Sequence, residues 1–181
     1  MSGYCDVAPG HPLHGPYHDH EYGFPLADET ALFERLVLEI MQAGLNWELV
    51  LRKREGMRAA LAGFAVDALA ELDERVVAAL LADERIVRNR LKVGAIVANA
   101  RTVRALRASH GGFASWLAAQ QPLGRAEWVR LFKRTFRFTG GEITGEFLQS
   151  IGYLPGAHRE SCPVFGRIAA LAPPWMRGAM P

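Results

Sequence analysis

The pattern of hydrophobic and polar residues predicts a chain built of helices. In the run "ETALFERLVLEIMQA", residues 29–43, apolar side chains recur at intervals of three and four residues, which is typical of an amphipathic α-helix. Asp28 is a suitable N-cap for this helix, and Gly44 is a residue at which it can end. Asn46 is placed to cap a second helix that begins at Trp47.

The rest of the chain continues in the same way. Two short helical patterns lie around "VDALAEL" and "ERVVAALLA", a long one runs from about Leu91 to Ser109, and three more follow as "FASWLAAQ", "RAEWVRLFKRTF" and "GEITGEFLQSIGY". Residues 1–27 are rich in Pro, Gly and His without periodicity, which predicts a loop. Alternating strand patterns are nearly absent. We therefore expect an all-α fold of eight or more helices, in a single domain over residues 1–181.

Composition narrows the class of protein. Of the 181 residues, 50% are hydrophobic and 22% are charged, which is globular rather than disordered. The formal charge of +2 excludes a polybasic nucleic-acid-binding chain, so any basic surface must be local. The N-terminus has no signal-peptide pattern, and no run approaches the roughly 18 apolar residues of a membrane span. We expect a soluble, cytoplasmic protein with reduced thiols, a single disulfide between Cys5 and Cys162 being the alternative.

Cysteine and histidine side chains near the two ends form a candidate metal site. Cys5 and His18 lie near the start, and His158 and Cys162 form an H-x3-C pair near the end. Two thiolates and two imidazoles are a suitable tetrahedral zinc set, and four protein ligands indicate a structural rather than a catalytic ion. Unrelated, scattered residues explain the spacing equally well. Three other histidines compete for the N-terminal position: His11, His14 and His20.

Glu39 interrupts the apolar face of the first predicted helix. A buried carboxylate there would have a raised pKa unless a cation or hydrogen bonds favoured its charged form. On the pattern alone, a surface pair with Arg35, four residues earlier, is the favoured interpretation. Tyr17, Tyr22 and Trp47 are either core aromatics or plates on which a planar ligand stacks. Aromatic plates with one carboxylate would suit a flipped nucleobase.

Basic residues cluster in three places, and each cluster has an ordinary explanation as a solvated helix face. In the second cluster, however, Arg88, Arg90 and Lys92 lie on a turn that leads into a helix N-terminus. Backbone N–H groups and the helix dipole would add to their charge, which indicates a phosphate site. The three clusters are residues 52–54, 85–92 and 132–137.

Together these features resemble the 3-methyladenine DNA glycosylase I family, which are helix-hairpin-helix base-excision enzymes with a zinc site that joins their termini. The matching strings are "YHDHEYG", "LFERLVLEIMQAGLNWELVLRKRE", "IVRNRLKVGAIVANA" and "FLQSIGYLPGAHRESC". They occur in the family's order and span most of the chain, from Cys5 to Cys162.

The resemblance implies a monofunctional glycosylase that binds duplex DNA, flips an alkylated base and hydrolyses its N-glycosidic bond. N3-methyladenine is cationic in the nucleotide and is already a good leaving group, so little activation is needed. Glu39 would hydrogen-bond the base and balance developing charge, with Tyr17 and Trp47 as pocket walls. The turn at residues 85–92, with Arg88, Arg90 and Lys92, would grip phosphates. The implied partner is double-stranded DNA with an alkylated base, and we expect a monomer.

The resemblance also implies that a structural zinc ion is held by Cys5, His18, His158 and Cys162. Elsewhere the chain departs from the family's pattern. An aromatic residue is replaced by Val7, a tryptophan by Tyr22 and a tyrosine by Gly145, and the stretch between Gln121 and Phe132 is about a dozen residues shorter. These departures keep two alternatives open: a family member with a changed lesion preference, or a non-catalytic, zinc-stabilised helical DNA-binding module.

Overall fold

A computed structural model describes residues 3–177 of the chain. Within that range the structure is helical, which confirms the all-α prediction. No helix in that range is both long enough and apolar enough to cross a lipid bilayer. A 3-10 turn, Ala62–Phe64, separates the fourth and fifth helices. The α-helices are α1 (Tyr4–Val7), α2 (His14–His20), α3 (Glu29–Gln42), α4 (Trp47–Ala60), α5 (Val66–Ala70), α6 (Glu74–Ala82), α7 (Arg90–His110), α8 (Phe113–Ala119), α9 (Arg125–Thr135), α10 (Gly141–Ser150), α11 (Pro163–Ala170) and α12 (Pro174–Arg177).

Helix α3 lies at the centre of the fold. Its predicted cap is confirmed, because the Asp28 side chain accepts a 2.8 Å hydrogen bond from the Ala31 N–H. Residues 32–41 are buried on every side, since α3 packs against α4, α7, α8 and α10. Polar side chains on this helix are therefore buried with it. The next helix is also capped as predicted, with Asn46 accepting from the Leu49 N–H at 2.8 Å.

The N-terminal segment corrects the prediction of a loop over residues 1–27. It contains α1 and α2, and α2 buries Tyr17 and His18 although it has no apolar stripe. Its buried side chains are an aromatic phenol and an imidazole held by specific polar contacts, which hydrophobic periodicity cannot detect. The segment thus brings two of the predicted site residues to the same place in the fold.

An aromatic cluster holds α10 in place behind α3. Phe113 stacks on Phe147 with ring centroids 5.9 Å apart and planes inclined by 5°. Phe136 lies 5.5 Å from Phe113 and Phe132 lies 5.6 Å from Phe147, measured between centroids, and Trp116 contacts both Phe132 and Phe136. Buried aromatic rings contribute large apolar areas and restrict how neighbouring helices can shift. The side chains that α10 presents toward α3 are therefore held in fixed positions.

Helices α6 and α7 form a hairpin connected by residues 83–89. Asn89 caps α7, its side chain accepting a 3.1 Å hydrogen bond from the Lys92 N–H. Within the connection, the Asp83 carboxylate is bound by the backbone and guanidinium of Arg85, which lowers the pKa of Asp83 to about 2. The turn is thereby fixed in shape, with the N-terminus of a 21-residue helix at its end.

Candidate base pocket and metal centre

A cavity of about 210 Å³ opens beside helix α3. It is walled by the first two helices and by α3, α4 and α10, so the fold brings together residues distant in sequence. Three of the predicted residues, Tyr17, Glu39 and Trp47, meet there. The complete lining is Tyr4, Tyr17, Tyr22, Glu39, Gln42, Trp47 and Glu146.

Glu39 is the buried carboxyl group of this cavity. Only 4% of the residue is exposed, and no hydrogen bond or ion pair to its side chain forms within residues 3–177. Burial is the main cause that raises the pKa of Glu39 to about 8; the charge of Glu146 raises it further, and Arg35 opposes both. The favoured sequence interpretation, a surface pair with Arg35, is wrong, because that guanidinium is buried and bonded elsewhere.

Aromatic side chains form the remaining walls. The Tyr17 ring lies 5.0 Å from Trp47 and 5.7 Å from Tyr22, measured between centroids. The Tyr17 hydroxyl accepts a 3.0 Å hydrogen bond from Arg35 Nη1, which fixes the ring, and burial raises the pKa of Tyr17. The indole N–H of Trp47 is buried without an acceptor in the described part of the chain. A ligand that offers a hydrogen-bond acceptor would satisfy this donor.

A network of partly buried ion pairs lies beside the cavity. Glu34, five residues before Glu39 on α3, accepts hydrogen bonds from Arg54 at 2.8 Å and from Arg58 at 2.7 Å. Arg54 also binds both carboxylate oxygens of Glu21, and Arg35 Nη2 donates to Glu21 at 3.0 Å. These contacts join α4, α3 and the end of α2. Arg54, from one of the predicted basic clusters, therefore neutralises carboxylates inside the protein.

The four predicted metal ligands converge on one point. The ligand atoms of Cys5, His18, His158 and Cys162 all lie within 4.8 Å of one another. Individual separations are 3.5 Å for Cys162 Sγ–His158 Nδ1, 3.7 Å for Cys5 Sγ–His158 Nδ1 and 3.8 Å for Cys162 Sγ–His18 Nε2. Bonds of 2.0–2.3 Å in a tetrahedron imply ligand separations of roughly 3.3–3.8 Å, so the cluster fits a zinc-sized ion. Both cysteines are free thiols, which excludes the alternative disulfide.

Hydrogen bonds at the far side of each ring set the histidine tautomers. The Nε2–H of His158 donates to the Tyr22 carbonyl at 2.7 Å, and the Nδ1–H of His18 donates to the Asp19 carboxylate at 2.7 Å. The opposite nitrogen of each ring therefore keeps its lone pair for a metal ion. Through this hydrogen bond His158 also connects the metal cluster to Tyr22, whose side chain forms part of the cavity wall.

A second group of side chains, His11, His14 and Glu48, has similar spacing but unsuitable chemistry. His11 Nδ1 accepts backbone N–H bonds from Leu13 and His14, both at 3.2 Å. Its proton must therefore be on Nε2, and the ring has no free lone pair for a metal ion. Of the competing histidines, His20 is exposed, so His18 alone completes the cluster from the N-terminal side.

The basic turn divides into two parts. Arg88 and Arg90 are exposed at the start of α7, beside an exposed Leu91. Lys92 is only 4% exposed, and its ammonium donates to the carbonyls of Met41 at 2.9 Å and Ala43 at 2.6 Å. This corrects the expected phosphate contact of Lys92, because the side chain caps the end of α3 and does not reach solvent.

Sequence reasoning missed Tyr4, Gln42 and Glu146 as lining residues. No periodic signal marks Glu146, which lies on α10 among buried neighbours, and only the packing of α10 on α3 reveals its position. Val7 is 54% exposed and lies outside the cavity lining, whereas Tyr4 is part of the lining. At Gly145, a Cβ atom would lie 2.4 Å from the Arg125 guanidinium, which fills the space of a larger side chain. Of these departures from the family pattern, only Tyr22 lines the cavity.

Comparison with known proteins agrees with this geometry. Residues 7–127 match the family model described as methyladenine glycosylase. DNA-3-methyladenine glycosylase 1 of Escherichia coli K12 is 33% identical over 171 residues, which cover 82% of this chain and 89% of that protein. A crystal structure of 3-methyladenine DNA glycosylase I superposes with a TM-score of 0.77 at 33% identity, covering 88% of this chain and 97% of the other. The structure of a tyrosine-to-phenylalanine variant of a 3-methyladenine DNA glycosylase I in complex with 3-methyladenine superposes with a TM-score of 0.79 at 27% identity. The match covers 90% of this chain and 97% of the other.

Proposed function

The chain belongs to the 3-methyladenine DNA glycosylase I family, and from this premise we propose that it excises 3-methyladenine or a related alkylated base from DNA. It is a hydrolase that flips the damaged base out of the duplex and cleaves the N-glycosidic bond, leaving an abasic site. The observation that carries the proposal is a small aromatic cavity containing one buried carboxyl group, Glu39. A related glycosylase binds 3-methyladenine in a solved complex.

The cavity residues have two roles: some hold the base, and one balances its charge. Tyr17 and Trp47 present aromatic faces, on which stacking contributes on the order of 1–3 kcal/mol per base. Glu39 accepts hydrogen bonds from the base and, when ionised, stabilises the positive charge of the sugar as the bond breaks. Among the described residues that line the cavity there is no lysine. In this proposal the reaction stops at base release, without a lyase step that cleaves the strand.

Duplex DNA lies against the hairpin in this proposal. Arg88 and Arg90 are exposed there, and the free N–H groups at the start of α7 favour a phosphate. Lys92 supports this end of the hairpin from inside. One chain supplies both the cavity and the metal cluster, so we expect a monomer to be active. A cytoplasmic location would suit the two free thiols.

The ion that we propose at the four-residue cluster is a structural zinc. Two thiolates and two imidazoles fill its coordination sphere, so it supplies no chemistry to the reaction. It joins the two ends of the chain and fixes the segment that carries Tyr17. Metal analysis should give about one zinc per chain, and Cys162→Ser should lower the melting temperature and release the metal. A metal-free protein of equal stability would contradict this assignment.

Release of free base from alkylated duplex DNA tests the activity. Wild-type protein should release 3-methyladenine and leave abasic sites without strand breaks, while unalkylated duplex serves as the control. Activity on a different alkylated or deaminated base would instead support a changed lesion preference, which Tyr22 in the wall favours. DNA binding by zinc-loaded protein with no release of any base would identify a non-catalytic binding module.

A further inference from the structure

Glu146 is a second carboxyl group in the same cavity. It lies on α10, which packs directly against α3, the helix that carries Glu39. Its Oε2 atom accepts a 3.1 Å hydrogen bond from the Tyr22 hydroxyl. Neither Glu39 nor Glu146 forms an ion pair within residues 3–177, so the cavity holds two carboxyl groups and no bonded cation.

We propose that Glu146 is a specificity-determining residue, and that with Glu39 it selects a positively charged base over a neutral base of the same shape. This inference rests on the proposed glycosylase function, whose substrates are cationic N-alkylated purines, and adds the residue that would distinguish them from neutral bases. Sequence reasoning assigned no role to Glu146, and its position follows only from the packed structure.

Electrostatics support this selection. Two carboxylates that share a confined site repel each other, so one of them keeps a proton until a cation arrives. The negative charge of Glu146 accordingly contributes to the raised pKa of Glu39, after burial as the main cause. A cationic base would let both carboxyl groups ionise and pair with its charge, whereas a neutral base would leave one of them protonated. The aromatic faces of Tyr17 and Trp47 also attract positive charge.

The other charged and titratable groups around the cavity do not supply this cation. Arg35 on α3 lowers the pKa of Glu39, but its guanidinium is bonded to Tyr17 and to Glu21, and the Glu21 carboxylate is itself bound by arginines. The phenols of Tyr4, Tyr17 and Tyr22 have pKa values raised by burial and stay neutral. Gln42 and Trp47, the remaining lining residues, do not titrate.

Binding of two matched bases tests the proposal without requiring turnover. The cationic probe is 3,9-dimethyladeninium, and the neutral probe is 3-methyladenine as a free base in mildly alkaline buffer, each titrated by calorimetry. Wild-type protein should prefer the cation by at least about tenfold, and Glu146→Gln should lose most of that preference while binding the neutral base within about twofold of wild type. The matched control is Glu142→Gln, which removes a 91% exposed carboxylate one turn earlier on α10 and should change neither affinity.

A pH profile separates the charge of Glu146 from its hydrogen bond. Glu146→Gln keeps an acceptor for Tyr22 but removes the charge, so Glu39 should ionise more easily. The rising limb of kcat/KM for base release should move to lower pH by roughly one unit. Tyr22→Phe removes the hydrogen bond and keeps both carboxyl groups, so this limb should stay in place.

Two results would overturn the proposal. Equal affinity of the wild-type protein for both probes would do so even if Glu146→Gln did not fold. Equal losses of affinity for both probes in Glu146→Gln would show that the residue has only a structural role. A wild-type protein that prefers the cation but releases no base from alkylated DNA would support the selection while contradicting the glycosylase activity.

Discussion

Helix α3 carries two buried carboxyl groups five residues apart, Glu34 and Glu39, and their surroundings differ. Glu34 and Glu39 are equally inaccessible, at 5% and 4% exposure. Two arginines bind Glu34 directly, whereas Glu39 faces a cavity without a bonded cation. Burial alone therefore does not distinguish a structural carboxylate from a functional one. The difference lies in whether the protein itself supplies the partner or leaves that to a ligand.

The largest difference between the two carboxyl groups should appear in how substituting each one changes the pH dependence of stability. The pKa of Glu39 is about 8 in the folded protein and near 4.5 when unfolded. The unfolded chain therefore loses this proton first, and stability falls as pH rises from about 4.5 to about 8. Glu39→Gln removes this loss. Its free energy of unfolding, relative to wild type, should increase across that window by on the order of 4 kcal/mol.

Urea denaturation at several pH values measures this increase, because most other groups titrate alike in both proteins. Glu34→Gln is the control, since it leaves Glu39 in place and should preserve the wild-type pH dependence. A constant difference between Glu39→Gln and wild type from pH 4.5 to pH 8 would mean that Glu39 titrates normally.

Glu34→Gln, by contrast, should destabilise the protein at neutral pH. The substitution leaves Arg54 and Arg58 near a neutral amide and weakens the contact between α3 and α4. The loss of a charged hydrogen-bond acceptor at this partly buried site costs about 1.5–3 kcal/mol. The midpoint of urea denaturation should fall accordingly, while the folded fraction should release base at close to the wild-type rate. Exposed Glu55→Gln, one helical turn from Arg58 on α4, is a matched control and should have little effect on stability.

For the rate of base release, Glu39→Gln should have a large effect and Glu34→Gln a small one. Glu39→Gln should lower the rate of base release by about 10- to 100-fold, because a charged hydrogen bond is worth roughly 1.5–3 kcal/mol. Single-turnover measurements with alkylated duplex at saturating protein isolate this step from DNA binding. Comparable losses in Glu34→Gln and Glu39→Gln would remove the distinction between the two carboxyl groups.

The sequence predicts the local features of this region better than its long-range contacts. Helix α3, its cap Asp28 and the cap Asn46 follow from local spacing, because amphipathic periodicity and capping are short-range effects. The four metal ligands follow from chemistry and from the family resemblance. Long-range packing determines the rest. The arginines bound to Glu34 lie on another helix, and Glu146 is 107 positions after Glu39 along the chain.

Lys92 shows the same limit of sequence-based prediction, here for a residue whose predicted contact the structure does not support. In sequence it belongs to a basic turn, and its charge predicts a phosphate contact. In the structure its ammonium caps carbonyls at residues 41 and 43, about 50 positions earlier. A basic pattern reports the charge of a side chain, but only the fold determines whether that charge faces solvent.

Lys92→Met should therefore have the smallest effect, and that effect should be on stability. The substitution leaves the carbonyls of Met41 and Ala43 without their donor at the pocket end of α3, which costs about 1–2 kcal/mol. Since the side chain is buried, the salt dependence of DNA binding should match wild type. Arg90→Met, two residues earlier on the same helix, should do the opposite: unchanged stability, with the slope of log affinity against log salt reduced by about 1. Fluorescence anisotropy with duplex DNA over a range of salt concentrations measures both slopes. A reduced slope in Lys92→Met would show that the ammonium reaches phosphate after all, and that the pocket end of α3 opens when DNA binds.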